Sequence, residues 1–349
     1  MHMSILQTTA IPSPHEAQTA LRKQLLERKA FLVCDENTFK LCLPRFPELQ
    51  SLPHCVLKPG EPRKSMEQVL EICRSMQAIG NPRSGLLISL GGGVVSDIAG
   101  FAASIYKRGI EVLHIPTTLM GMVDAATGGK TGVNLDHVRN ALGTTHFPIQ
   151  VLLFPELLET LEPRELLSGM AEMHKHAFLA GDIHWERALN MSFDDFLKPE
   201  VIHWHARFKQ ALVEQDPFDK GIRQQLNLGH TTAHAIESVL LQHEVEVPHG
   251  LAVAAGIDFE MQLALQLETG ISEDEVKRTS QRLRDFFPTL PYALLSASEI
   301  IHFMQNDKKN QHGITFSLAK APGEISIGVA VDEAFILKHL HPFLHARNA

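Results

Sequence analysis

The sequence predicts a two-domain α/β protein, with a Rossmann-like N-terminal domain and a mainly α-helical C-terminal domain. Three observations support this fold class. Strand-like and helix-like segments alternate in the first half, a glycine triplet ends one buried strand, and helical periodicity dominates the second half. The change comes at Phe154-Pro155, so we place the domains at residues 1–155 and 156–349. A chain of 349 residues is long enough for two separate cores.

The first half reads as a series of buried strands joined by helices. Apolar runs predict strands at residues 30–34, 55–57, 85–90 and 112–115, with a loop at 35–37. Helical spacing appears at 65–76, and another helical segment follows Val94. Strand–helix–strand order implies an open, largely parallel sheet, which binds ligands at the carboxyl ends of its strands.

A glycine-rich turn follows the third predicted strand. The apolar run Gly85–Leu90 leads into Gly91-Gly92-Gly93 and then into a helical segment. Glycines let backbone N–H groups approach a pyrophosphate, and the helix N-terminus favours its negative charge. The same stretch continues with the polar residues Asp97, Arg108, Thr117, Thr118 and Lys130. A phosphate-binding turn therefore explains this segment better than a purely structural one.

Composition excludes several classes of protein. The net charge of −8 is wrong for a sequence-general nucleic-acid binder, and no apolar run approaches the roughly 20 residues of a membrane span. The first residues lack a basic region followed by an apolar core, so we expect no signal peptide. The cysteines, Cys34, Cys42, Cys55 and Cys73, show no paired metal spacing. We expect a cytoplasmic protein with reduced thiols.

The second half places polar residues at helical spacing. Helices are predicted at 164–180, 199–214, 226–241, 250–268 and 273–286. Glu172 and Lys175, three residues apart, share a helix face. Asn227, His230 and His234 are predicted to form one stripe of the 226–241 helix. The opposite, apolar side of that helix comprises Ala233, Ile236 and Leu240.

One glutamate and two histidines can hold a catalytic zinc ion and leave positions open for a substrate. Spacing alone leaves three possibilities: Glu172 with His230 and His249, Glu172 with His230 and His234, or no metal. The cations nearby along the sequence are Lys209, Arg223 and the lysines of the Asp307–Asn310 run. Such cations would suit a phosphorylated, carboxylated substrate.

Together these segments resemble the 3-dehydroquinate synthase family of sugar phosphate cyclases. The resemblance runs in the same order from about Asp35 to Lys309. Its motifs are Gly60-Glu61 with Lys64, GGGVVSDIAGF, KRGI, PTTL, the block from Asp124 to Asn134, the stretch from Gly169 to Lys175, LNLGHTTAHAIE, and DKKN.

The resemblance implies a carbon–oxygen lyase of the shikimate pathway, which leads to chorismate and the aromatic amino acids. The family converts 3-deoxy-D-arabino-heptulosonate 7-phosphate to 3-dehydroquinate and phosphate. It uses catalytic NAD, reduced and reoxidised within one turnover, and a divalent metal ion, zinc or cobalt. The implied partners are a small phosphorylated keto acid and a second copy of the chain in a homodimer.

The resemblance also assigns residues. Glu172, His230 and His249 would hold the metal ion, which makes His234 a substrate or catalytic residue. The NAD site would comprise Asp35, Asn37, Gly60, Glu61, Lys64, Gly92, Gly93, Val94, Asp97, Thr117, Thr118, Lys130, Arg139, Leu157 and Thr160. The catalytic pocket would comprise Asp124, Lys130, Asn140, Lys175, Lys209, Arg223, Asn227, His234 and Lys308 (favoured over Lys309), with Arg108 reaching in from the partner subunit. Within it, the phosphate clamp would be Lys130, Asn140, Arg223 and His234.

Some positions depart from the family pattern. Arg139 stands where a lysine is usual, Ala125-Ala126 replaces two serines, and Phe154 replaces an aspartate. The alternatives are therefore a 2-epi-5-epi-valiolone or 2-deoxy-scyllo-inosose synthase, a glycerol-dehydrogenase-like oxidoreductase, or an inactive nucleotide-binding module. The presence of Arg223, Asn227, Asn140 and the DKKN run favours the dehydroquinate synthase reaction.

Overall fold

A computed structural model describes residues 11–136, 138–306 and 313–348 of the chain. The α-helices of these residues are α1 Pro14–Glu27, α2 Glu36–Leu41, α3 Pro47–Gln50, α4 Met66–Ala78, α5 Gly93–Ile105, α6 Pro163–Leu179, α7 Asp182–Leu189, α8 Phe193–Phe196, α9 Pro199–Gln215, α10 His230–Gln242, α11 His249–Gln266, α12 Glu273–Phe286, α13 Ala297–Asn306 and α14 Glu333–Asn348. The strands are β1 Ala30–Asp35, β2 His54–Leu57, β3 Leu86–Gly91, β4 Glu111–Pro116, β5 Lys130–Leu135, β6 Val138–Thr145, β7 Gln150–Val151, β8 Ile314–Ala321 and β9 Glu324–Val331.

These residues form two compact units. The first comprises the described residues up to Gly169 together with Phe193–Phe218. The second comprises Met170–Ser192 and the described residues from Asp219 onward. The chain passes from the first unit to the second within α6. The boundary that the sequence suggests at residues 155 and 156 stays a prediction.

The first unit contains a parallel sheet in the order β2-β1-β3-β4-β7. All four predicted strands are confirmed, because β1, β2, β3 and β4 lie within one residue of the predicted bounds. Their apolar residues are nearly all buried, as expected for a sheet covered on both faces. From β1 the chain goes to β2 on one side and then to β3 on the other. The carboxyl ends of β1 and β3 therefore form the switch point at which such sheets bind ligands.

A helical layer and a separate hairpin complete the first unit. Helices α4 and α5 pack on the sheet through a shared core that includes Phe31, Leu87, Ile98 and Val112. Strands β5 and β6 form an antiparallel hairpin outside the main sheet. The predicted loop at 35–37 is wrong. Asp35 ends β1 and its side chain caps α2, accepting a hydrogen bond from the Thr38 N–H at 2.8 Å.

The second unit is mainly helical, as predicted, but also contains the antiparallel hairpin β8–β9, which the sequence analysis missed. The predicted helix at 226–241 begins later, at His230, because Gly229 is in the left-handed region at φ +81°. Asn227 belongs to a preceding 3₁₀ turn at Ile222–Asn227, so it does not share one helical stripe with His230 and His234. The predicted apolar side of α10 is fully buried. No helix of the described part of the chain is long and apolar enough to cross a membrane.

Candidate functional site

The glycine turn lies at the switch point of the sheet. Gly91 ends β3, Gly92 is the N-cap of α5, and the Thr117 N–H donates to the Gly91 carbonyl at 3.0 Å. A Cβ atom on Gly92 would come within 2.9 Å of the Thr118 methyl group. The turn is thus narrow enough to demand glycine, and it leaves the first N–H groups of α5 without helical acceptors. This is the geometry of a cradle for a pyrophosphate.

The buried Lys64 connects the second turn of α5 with the β5–β6 hairpin. Lys64 is 4% exposed, and its Nζ lies 2.5 Å from Asp97 Oδ2 and 2.5 Å from Asn140 Oδ1. Asn140 has positive φ at +50°, and Asn134 Oδ1 accepts from its N–H at 2.8 Å. Burial raises the pKa of Asp97, although the Lys64 ammonium opposes this shift. Asn140, expected in the substrate pocket, therefore lies beside two residues expected to bind NAD.

The remaining residues of the predicted NAD site have the following places. Gly60, at φ +99°, precedes Glu61, whose Oε1 accepts from Asn134 Nδ2 at 2.9 Å. Thr160 donates its hydroxyl proton to the carbonyl of the buried Leu157 at 2.8 Å. The side chains of Asn37, Lys130 and Arg139 are exposed, and Val94 is partly buried.

The buried Lys209 and the partly buried Asp124 form an ion pair in the first unit. Asp124 lies in the π-helical turn Gly121–Ala125, and Lys209 on α9 is 6% exposed. Lys209 Nζ lies 2.5 Å from Asp124 Oδ1 and 2.7 Å from the Asp124 carbonyl oxygen. Two residues that are 85 positions apart in the sequence, and that both belong to the predicted catalytic pocket, are thus in direct contact.

In the second unit, the ligand atoms of Glu172, His230 and His249 lie within 4.8 Å of one another. Glu172 on α6 is fully buried, and its Oε2 pairs with the ammonium of Lys175, one turn later on the same helix. The predicted shared face of these two residues is confirmed. Glu172 Oε1 is 3.6 Å from His230 Nε2 and 3.8 Å from His249 Nε2. Among the described residues no donor forms a hydrogen bond to this oxygen.

The hydrogen bonds of His230 and His249 indicate which ring nitrogen of each side chain carries the lone pair. His230 Nδ1 lies 3.2 Å from the Leu228 carbonyl oxygen, and His249 Nδ1 lies 3.1 Å from Glu237 Oε2. Each acceptor calls for a proton on Nδ1, which leaves a lone pair on Nε2. With neutral rings in this tautomer, three acceptor atoms face one another. Ligands at about 2.1 Å from a tetrahedral zinc ion are about 3.4 Å apart, so the trio fits a divalent cation with small adjustments.

The surroundings of His230 favour a neutral imidazole ring. Burial lowers the pKa of His230 well below its ordinary value, and the nearby Lys175 ammonium lowers it further. Burial also disfavours the charged form of His249, but the Glu237 carboxylate outweighs this effect and raises the pKa of His249. Glu237 was not assigned from the sequence. Its position one turn after His234 in the same helix was the available signal.

Three other predicted pocket residues, His234, Arg223 and Asn227, lie within seven positions of His230 in the sequence, and the ring of His234 also lies near the rings of His230 and His249. His234 is exposed on α10, one turn after His230, with ring centroids 5.5 Å apart, and its ring lies 5.9 Å from that of His249. Glu237 and His249 also form a second group with His234 that could hold a cation. Arg223 is buried and Asn227 is partly buried, both in the 3₁₀ turn before α10. Lys308 and Lys309 lie outside the described residues.

Arg108, expected to act in a partner subunit, lies in a conformationally unusual turn. Lys107 and Arg108 have positive φ angles of +49° and +67°, and both side chains are exposed. Non-glycine residues rarely adopt this region, and those that do cluster at active sites, ligand clamps and switch regions.

Two protein-family models match this chain. The model for the 3-dehydroquinate synthase N-terminal region matches residues 54–168, and the model for the C-terminal region of the same enzyme matches residues 169–310. A 3-dehydroquinate synthase of Parabacteroides distasonis is 34% identical over 320 residues, which cover 89% of this chain and 90% of the relative.

Solved structures with a similar fold include sugar phosphate cyclases and, at lower TM-scores, dehydrogenases such as a probable glycerol dehydrogenase of Sinorhizobium meliloti (14% identical, TM-score 0.66, 98% of both chains covered). A 2-epi-5-epi-valiolone synthase of Streptomyces hygroscopicus with NAD⁺ and Zn²⁺ bound is 25% identical, with a TM-score of 0.83 and 99% of both chains covered. A 2-deoxy-scyllo-inosose synthase in complex with carbaglucose-6-phosphate, NAD⁺ and Co²⁺ is 20% identical, with a TM-score of 0.81 and 96% of both chains covered. At identities of 20% and 14%, the 2-deoxy-scyllo-inosose synthase and the glycerol dehydrogenase support the fold alone.

Proposed function

The chain belongs to the 3-dehydroquinate synthase family, and we propose on this premise that it converts 3-deoxy-D-arabino-heptulosonate 7-phosphate to 3-dehydroquinate and phosphate. The observation that carries this proposal is the trio of Glu172, His230 and His249. Both halves of the chain match the family, and this trio has the ligand types and spacing of a divalent cation site. An inactive relative would have no reason to keep three acceptor atoms facing one another in a buried position.

We assign the metal site to Glu172, His230 and His249, with Glu237 orienting the His249 ring. When bound, the zinc or cobalt ion would act as a Lewis acid on a substrate oxygen, and NAD would take up a hydride and return it. The chain itself positions these groups. Lys175 pairs with Glu172 by direct contact, and both histidines turn Nε2 toward Glu172 Oε1.

The glycine turn supports the assignment of the NAD site. The free N–H groups at the start of α5 would take the pyrophosphate, and Asp97 with Lys64 lies one turn further along that helix. Asp35, Asn37, Thr117, Thr118, Thr160 and Arg139 remain assigned by family resemblance, as do Gly60 and Glu61. The solved 2-epi-5-epi-valiolone synthase, which holds NAD⁺ and Zn²⁺, supports both cofactors for this chain.

The substrate is an anion, and the assigned pocket residues are suited to bind it. Arg223 can give two parallel hydrogen bonds to a phosphate or carboxylate, whereas Lys130, Lys175 and Lys209 act as point charges. Asp124 holds Lys209 in one orientation, and Asn227, Asn140 and His234 add neutral hydrogen-bonding groups. In the alternative ligand set, His234 would bind the metal ion in place of His249. It would then no longer be available as a substrate contact.

We also propose that the enzyme is a cytoplasmic homodimer in which Arg108 completes the partner's site. The exposed side chain and strained backbone of Arg108 support a role outside its own fold. The four cysteines are free, in agreement with a reducing compartment.

Product analysis with a panel of sugar phosphates tests the proposed reaction. Purified protein with NAD and cobalt is incubated with 3-deoxy-D-arabino-heptulosonate 7-phosphate, sedoheptulose 7-phosphate or glucose 6-phosphate. We expect phosphate and dehydroquinate from the first alone, with no net NADH. Turnover of either other sugar, but not of the first, would assign a related cyclase reaction. NADH accumulating in proportion to product would assign a dehydrogenase.

A further inference from the structure

A second fully buried carboxylate, that of Glu260, lies behind the proposed metal site. Glu260 is in the middle of α11 and is 0% exposed. Its Oε2 accepts a hydrogen bond from the Gly229 N–H at 2.6 Å, and its Oε1 accepts one from the Thr232 N–H at 3.0 Å. Both donors belong to the start of α10, on either side of His230. The carboxylate of one helix therefore caps the N-terminus of another.

The close approach of the two helices explains why this cap comes from α11. A Cβ atom on Gly256 would lie 2.0 Å from the Gly229 carbonyl oxygen, and one on Gly229 would lie 2.5 Å from Ile257 Cγ1. The N-cap position of α10 therefore has no room for a serine, threonine or aspartate side chain. Glu260 is one turn after Gly256 on the same face of α11, where it can reach the unpaired N–H groups.

The burial of Glu260 is unfavourable unless its contacts are maintained. Burial raises the pKa of Glu260 to about 8, while the N–H groups of Thr232 and Gly229 favour its charged form. A methionine or leucine would fill the same space in a largely apolar helix without this desolvation. A carboxylate at this position is thus best explained by what it holds in place.

Glu260 holds the backbone on both sides of His230. This histidine is the first residue of α10, His249 is the first residue of α11, and both present Nε2 to Glu172 Oε1. We propose that Glu260 is a positioning residue that locks the first turn of α10 onto α11 and so keeps His230 aimed at the metal site. This inference rests on the proposed function, because it assumes that the trio binds a divalent ion.

Cobalt titration of purified wild-type protein and two variants tests this role. Glu260→Gln keeps the size of the side chain but offers one acceptor and turns an NH₂ group toward an N–H donor. Glu260→Asp keeps the carboxyl group and shortens the side chain by one methylene. For both we expect about 10-fold weaker cobalt affinity, the lower end for loss of an outer-shell partner, together with a shifted cobalt visible absorption band. If one variant fails to fold, the other still decides the question.

Asp258→Asn is the matched control. Asp258 is buried half a turn before Glu260 on the same helix, but it bonds to Ser280 Oγ at 2.5 Å and to Arg347, away from the trio. We expect this variant to lose thermal stability and to keep wild-type cobalt affinity and absorption. Wild-type affinity and absorption in both Glu260 variants would overturn the inference and leave the metal site intact. Absence of cobalt binding by the wild-type protein would instead overturn the proposed metal site, and this inference with it.

Discussion

At the scale of single residues, three buried lysines each contact a carboxylate. Glu172 meets Lys175, Asp97 meets Lys64 and Asp124 meets Lys209, each within hydrogen-bonding distance. A charge buried without a partner is strongly unfavourable. Replacing one residue of such a pair by a neutral one is therefore expected to destabilise the folded protein, because the other charge stays buried. These pairs fix charged groups at the proposed sites, and their burial lowers the free energy of unfolding.

Replacing Lys64 by methionine is expected to lower the free energy of unfolding by about 2 kcal/mol. This is below the usual loss for a fully buried pair, because the Asp97 side chain is 23% exposed. We also expect weaker NAD binding, since Asp97 and Asn140 lose the cation that joins them. Urea denaturation and NAD titration measure the two effects.

The double variant Lys64→Met, Asp97→Asn provides the control for this prediction. Neutralising Asp97 removes the uncompensated charge, so the double variant should be more stable than Lys64→Met alone. Strictly additive losses of the two single variants would show that the two residues do not interact.

Spacing in the sequence predicted some residue contacts and not others. The contact between Glu172 and Lys175 followed from the helical period, because the two residues are three apart. The choice between His234 and His249 could not follow from spacing, since it depends on how α10 and α11 pack. The glycines that allow this packing, Gly229 and Gly256, have no pattern that reveals their partner.

At the scale of elements, the buried strands were the most predictable and the element ends the least. Continuous apolar runs gave β1 to β4 within one residue. The start of α10 was missed because a left-handed glycine interrupts an otherwise helical pattern. The β8–β9 hairpin was missed although the signal was present. Along β9, Ile325, Ile327, Val329 and Val331 alternate with small or polar residues, as in a half-exposed strand.

A buried histidine in the sheet makes the stability of the first unit depend on pH. His114 on β4 bonds through Nδ1 to Ser89 Oγ at 2.6 Å, and burial lowers its pKa to about 3. As pH falls below the unfolded value of about 6.5, only the unfolded chain takes up this proton, so stability decreases. His114 should contribute about 2 kcal/mol to the stability lost between pH 7 and pH 5.

The variant His114→Leu tests this effect. It should be less stable than wild type at pH 7, because Ser89 loses a partner, but it should lose less stability on going to pH 5. Chemical denaturation at both pH values gives the comparison. An equal loss in the two proteins would mean that His114 titrates normally in the folded state.

At the scale of the whole molecule, the assigned residues come from both units of the chain and, as we propose, from a second copy. The glycine turn and the Asp124–Lys209 pair belong to the first unit, and the Glu172–His230–His249 trio belongs to the second. The change in periodicity predicts two domains with a boundary at residue 155, but no sequence signal predicts the return of Phe193–Phe218 to the first unit.

Mixed dimers test whether Arg108 acts in the partner's site. Arg108→Ala and Lys209→Ala should each be nearly inactive alone. Random mixing of the two should restore roughly a quarter of wild-type activity, because half of the dimers are mixed and each mixed dimer has one intact site. Phosphate release measures the recovery. No recovery in verified mixed dimers would place Arg108 in its own subunit's site or outside any site.

The most direct test of the account is a comparison of His249→Ala with His234→Ala, after chelation and cobalt titration, with phosphate release measured in parallel. His249→Ala should lose cobalt binding by about 100-fold or more and lose turnover with it. His234→Ala should keep cobalt affinity within a few-fold of wild type and still turn over poorly, because we assign His234 to the substrate pocket. Loss of cobalt binding in His234→Ala, with retention in His249→Ala, would contradict the proposed metal site.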